Sequence, residues 1–132
     1  MIQWTADLAT GIALIDEQHR GLYATVAKLH QAMRQGRMEV VPEVLEALQA
    51  YVGTHFATEE GEMEAAGYPG LAAHRDAHQA FVVEFLKHRA ALARGATASG
   101  VVALSAWLGE WLRDHVRRVD GEMARFLRTR NG

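Results

Sequence analysis

The chain has 132 residues, 49% hydrophobic and 23% charged, with a formal net charge of −2. This length suits one domain, residues 1–132, able to bury a core without covalent staples. The lack of cysteine excludes disulfides, thiolate catalysis, iron–sulfur clusters and thiolate zinc sites, and the lack of a basic surplus gives no reason to expect a nucleic-acid partner.

No apolar run approaches the roughly 20 residues of a membrane span, and the first residues, MIQWTADLATG, lack the basic-then-apolar pattern of a signal peptide. The expectation is a cytoplasmic protein without membrane insertion. Long periodic segments and only two prolines predict an all-α fold. Residues 1–15 read as an arm whose Trp4, Leu8, Ile12, Leu14 and Ile15 pack on the rest. A first helix is expected over 16–35, with Asp16 as N-cap and Gly36 as the stop. A second is expected over 41–66, with Pro42 in its first turn and Gly67-Tyr68-Pro69-Gly70 breaking it. The third covers 71–94 and stops at Gly95. The fourth covers 99–119, and a short C-terminal helix follows over 122–128. Short connections make sequential helices antiparallel neighbours. The predicted architecture is therefore an up-down-up-down four-helix bundle with an N-terminal arm and a short C-terminal helix.

The apolar seams of these helices are interrupted by polar residues. On the first helix the seam reads His19, Leu22, Val26, Leu29, Met33, and on the second Leu45, Leu48, Val52, His55, Glu59, Met63. The third gives Leu71, His74, His78, Phe81, Phe85, Leu92, and the fourth Val101, Leu104, Leu108, Leu112, His115, Val119. Alternating steps of three and four keep such a stripe on one face, so every helix puts an imidazole where a core residue belongs. Burying such groups unpartnered costs roughly 1–3 kcal/mol each, and ionised carboxylates more. A bound metal removes that conflict. The pairs His55/Glu59 and His74/His78 stack on one face about a turn apart, as chelation needs. His115 and Asp120 are five residues apart, about 140° around an ideal helix. Either the helix ends before Asp120 or it is distorted there, and Gly121 fits the first. His30 and His88 lie away from the others and are read as ordinary polar residues. Glu60, Glu62 and Glu64 read as mainly a solvated acidic edge. Gly21, Gly53, Gly61 and Gly109 fall inside helices, where spacing gives no reason for them.

Imidazole and carboxylate suit iron, zinc, copper or manganese alike. Seven donors exceed the needs of one ion. Two six-coordinate ions, sharing both carboxylates and one solvent-derived oxygen, would leave one position open for a small ligand. Tetrahedral zinc fits this arithmetic badly.

The run His19…His55-Phe56-x-x-Glu59-Glu60…His74-x-x-x-His78…His115-x-x-x-x-Asp120 resembles the hemerythrin family, specifically its single-domain bacterial members, over nearly the whole chain. The resemblance implies two iron ions per chain, oxo- or hydroxo-bridged. His74, His78 and His115 would bind one and His19 and His55 the other, which keeps the open position. Glu59 and Asp120 would bridge. It further implies reversible O₂ binding for carriage, storage or delivery, rather than enzymatic activity. Leu112 would face the O₂ pocket, with Trp111, Phe56, Met63, Leu22 and Phe81 completing a dry wall. The expected partners are O₂ and an unidentified oxygen-consuming enzyme, and the expected state is a monomer. Competing readings on the same scaffold are a di-iron oxidase, peroxidase or nitric-oxide-handling enzyme, and an oxygen or iron sensor.

Overall fold

The computed structural model describes residues 3–95 and 97–131, and the described residues are helical with no strand. Helix α1 spans Ala13–Arg34, α2 Val41–Ala66, α3 Leu71–Ala93, α4 Ala98–Asp114 and α5 Asp120–Asn131. Single 3₁₀ turns cover Ala6–Leu8 and Met38–Val40, and a π-helical turn, His115–Val119, joins α4 to α5. Helix α1 packs on α2 and α4, and α3 packs on the same two. This closes the ring of a four-helix bundle. No described helix is long and apolar enough to cross a membrane.

Two sequence expectations need correction. Asp16 is not the N-cap of α1, because the helix begins three residues earlier with Ile12 in the cap position. Asp16 instead lies in the first turn, buried, and accepts hydrogen bonds from Thr10 N and Thr10 Oγ1, both at 2.7 Å. Arg128 of α5 donates to the Thr10 carbonyl. These contacts tie the arm to the start of α1 and to α5. The C-terminal helix is present as α5, and it is longer than expected and continuous with α4 through the π turn. The stretch after Asp120, which Gly121 suggested would leave the helix, is helical and well packed, with Met123 and Ala124 fully buried.

The other boundaries follow local chemistry. Gly36 and Gly67 take positive φ after α1 and α2, a conformation open to glycine at no steric cost. Tyr68 N donates to Met63 O at 2.9 Å, closing the end of α2. Thr97 caps α4 by accepting from Gly100 N at 3.0 Å.

Gly21 receives a structural reason. A β-carbon there would collide with the hydroxyl and ring of Tyr51, so the missing side chain lets α1 and α2 approach closely. Gly53 and Gly61 have open space around them, and nothing in the structure explains them.

The apolar interior is divided in two. The larger cluster includes Leu22, Val26, Leu29, Leu48, Phe56, Phe81, Phe85, Leu108, Leu112 and Val116. The smaller is built on Ile15, Met63, Met123 and Leu127. Each contributing helix crosses from one cluster to the other through a polar layer. Helix α1 passes from Ile15 through His19 to Leu22, and α2 from Val52 through His55 and Glu59 to Met63.

Candidate metal centre

The seven seam donors meet in that layer. His19, Glu59 and Asp120 are fully buried, and His55, His74, His78 and His115 are 4% exposed or less. Asp120 reaches the group because the backbone widens before it. Its N–H donates to the carbonyl of His115, five residues back, so one turn accommodates five residues instead of about four. A regular helix would point Asp120 away from His115; the π turn brings its Oδ1 to 3.1 Å from His115 Nε2. Single π turns of this kind are rare within helices and recur at functional sites.

The carboxylate oxygens are sorted. Glu59 Oε2 lies 3.1 Å from His55 Nε2 and 3.4 Å from His19 Nε2, whereas Oε1 lies 3.2 Å from His78 Nε2 and 3.5 Å from His74 Nε2. Asp120 Oδ2 lies 3.0 Å from His19 Nε2, whereas Oδ1 lies 2.9 Å from His74 Nε2 and 3.1 Å from His115 Nε2. One oxygen of each acid thus faces the His19/His55 side, and the other faces the His74/His78/His115 side. Two donor sets result, with donor atoms within 4.8 Å of one another in each: His19, His55, Glu59 and Asp120, and Glu59, His74, His78, His115 and Asp120.

These close approaches are not hydrogen bonds. All four carboxylate oxygens, and Nε2 of His19, His74, His78 and His115, are buried without a hydrogen-bond partner among the described residues. Unpartnered buried polar atoms at this density are costly. Donors about 2.1 Å from one ion and at right angles to each other lie about 3 Å apart, as in an octahedral shell. The observed separations match edges of such a shell. The residues therefore fit metal binding, with Glu59 and Asp120 common to both donor sets.

Without metal, the layer polarises itself. Burial opposes charge on His19 and His74, but the facing Asp120 and Glu59 carboxylates outweigh it and raise both imidazoles to about 9. Burial likewise pushes Glu59 up, yet the imidazoles of His19, His55, His74 and His78 hold it well below the usual carboxylate range. Asp120 is pushed up by burial and by Glu59, and His115, His19 and His74 more than reverse this.

Neighbouring rings fix the imidazoles. Phe56 stacks on His78 with centroids 3.7 Å apart and planes 4° from parallel, and Trp111 stacks on His115 at 4.2 Å and 13°. Of the proposed pocket residues, Leu22, Phe56, Phe81 and Leu112 belong to the larger apolar cluster and Trp111 packs against it. Met63 belongs to the smaller cluster, so the six do not form one wall. His30 and His88 lie outside both donor sets.

Sequence reasoning missed two polar residues. Glu60, read as part of a solvated edge, places Oε2 2.9 Å from His78 Nδ1. Gln18 places Oε1 2.7 Å from His55 Nδ1. Both acceptors require the Nδ1 protons, which leaves each Nε2 lone pair aimed into the layer.

Residues 10–127 match the family described as the hemerythrin HHE cation binding domain. The bacteriohemerythrin of Stenotrophomonas maltophilia is 36% identical over 120 residues, covering 91% of this chain and 77% of the relative. That of Pseudomonas aeruginosa is 35% identical over 117 residues, covering 89% and 75%. A crystal structure of wild-type hemerythrin superposes with a TM-score of 0.85 at 28% identity, covering 96% of this chain and 98% of the other. With its two donor sets lying inside the matched span, the chain belongs to the hemerythrin family.

Proposed function

We propose that this protein binds O₂ reversibly at a pair of iron ions held by His19, His55, Glu59, His74, His78, His115 and Asp120, and serves oxygen carriage, storage or delivery rather than catalysis. The sorting of the Glu59 and Asp120 oxygens between two histidine sets is the observation that carries this reading. It favours two ions of unequal histidine number, with the spare position on the His19/His55 side. When bound, the ferrous pair supplies O₂ with two electrons that return on release.

The chain's own residues supply the rest. Glu59 and Asp120, common to both donor sets, would hold both ions and neutralise their charge in a buried layer. Phe56 and Trp111 restrict the His78 and His115 rings. Leu112, with Phe56 and Phe81, keeps one side of the layer apolar, which restrains proton delivery and hence O–O cleavage. A carrier needs that restraint. Delivery would be to an oxygen-consuming enzyme, from a monomer.

The test is to load the protein with ferrous iron without air, admit O₂, then remove it while following the visible spectrum. Repeated appearance and loss of a ligand-to-iron absorption band supports carriage. One-way conversion to a stable oxidised form counts against it and favours an enzyme or sensor. One zinc per purified chain would sink the di-iron reading.

A further inference from the structure

The two acids are shared between the donor sets, but the layer behind the histidines is asymmetric. His78 donates Nδ1–H to the Glu60 carboxylate at 2.9 Å, and His55 donates Nδ1–H to the Gln18 amide oxygen at 2.7 Å. The Gln18 amide is oriented by its own nitrogen, which donates to Thr58 Oγ1 at 3.3 Å. Among the described residues, Nδ1 of His19 and of His74 has no partner. An anion therefore backs the three-histidine set, and a neutral dipole backs the two-histidine set.

Glu60 is itself partnered. Arg75 Nε lies 3.2 Å from Glu60 Oε1, and Arg75 also reaches Glu64. The Glu60 side chain is 27% exposed and that of Arg75 46%. Solvent and the guanidinium thus screen part of the Glu60 charge, while its other oxygen stays on the buried imidazole. A carboxylate accepting from the distal N–H makes an imidazole a more electron-rich ligand, and an amide does so less. More electron-rich ligands favour the higher oxidation state of the ion they hold.

We infer that Glu60 is a positioning residue that orients His78 and loads negative charge onto the three-histidine side of the centre, that Arg75 sets how much of this charge is felt, and that Gln18 keeps the other side neutral. This rests on the metal-pair reading above. It gives the two ions different electron demand before any ligand arrives. The ion with the spare position is the one with weaker donation from behind, which suits release of O₂ over its irreversible reduction.

The experiment compares the iron-loaded full chain with Glu60→Gln, Arg75→Ala and Gln18→Glu. Iron per chain and the midpoint potential, from a mediated titration under nitrogen, are read for each. Glu60→Gln keeps an acceptor for His78 but removes the charge, so the potential should rise at unchanged iron content. Arg75→Ala removes the screen and should lower it, and Gln18→Glu should lower it as well. Opposite signs for Glu60→Gln and Arg75→Ala separate a charge effect from mere disturbance of the site, which would move both the same way. Equal-signed shifts, or none at full iron content, overturn the inference. Should Glu60→Gln fail to hold iron, Arg75→Ala decides alone, and the absence of a downward shift overturns it. If the wild type binds iron and cycles with O₂ while the variants do not shift, only this inference fails. A wild type that takes up no iron pair brings down both readings.

Discussion

Asp120 follows His115 by five residues, yet its Oδ1 lies 3.1 Å from His115 Nε2 while its N–H donates to the His115 carbonyl. The π turn thereby lets one helix provide a donor for one set and an acid for both. His55 serves only the smaller set. Asp120→Ala should therefore weaken both metal positions and leave little bound iron, whereas His55→Ala should retain the ion of the three-histidine set. Iron per chain after gel filtration checks this. Equal stoichiometry in the two variants would contradict the sharing of Asp120.

The bundle and the seven donors were legible because burial leaves a periodic mark. A histidine at a seam position is a contradiction visible in one dimension, and five on four helices repeat it. Asp120 was visible as a residue but not as a geometry, since a period of 3.6 has no place for a π turn. Glu60 and Gln18 were hidden for a different reason. Helix spacing describes one helix's face, and Glu60 lies off the face of Glu59 while reaching across to His78 on α3. Gln18 crosses from α1 to α2 in the same way. The Asp16 error is similar, because its partner Thr10 lies in an arm without periodicity. The reason for Gly21 is Tyr51, thirty positions along the chain.

Gly21→Ala should test that close approach. An alanine in a helix interior gains about 1 kcal/mol over glycine, but here the new methyl must displace Tyr51, and overpacking typically costs about 1–3 kcal/mol. The single variant should be neutral to destabilised. In a Tyr51→Ala background the same change should stabilise by about 1 kcal/mol. Denaturant melts of the four proteins close the cycle, and an identical Gly21→Ala effect in both backgrounds would remove the steric account.

Leu112 is buried one turn before His115 and belongs to the larger apolar cluster. Leu112→Ala should cost about 2–5 kcal/mol, the usual range for a buried leucine truncation. Iron content should hold, because no donor is removed. Admitting water to the layer should speed autoxidation of the O₂-bound form several-fold. The decay of its visible band in air measures this. A slower decay would place Leu112 outside the protecting wall.

Loading the metal-free protein should expel protons. His19 and His74 are raised to about 9 by Asp120 and Glu59 acting against burial, so both imidazoles carry a proton near neutral pH. A metal ion requires the neutral ring. Uptake of the metal pair near neutral pH should therefore release about two protons from these residues. Apparent affinity should rise with pH and flatten as pH passes about 9, where the two rings deprotonate unaided. Adding ferrous iron under nitrogen to weakly buffered protein containing an indicator dye reads the release. Uptake without proton release near neutral pH would mean that the metal-free imidazoles are already neutral, and that the acids are balanced by some group other than His19 and His74.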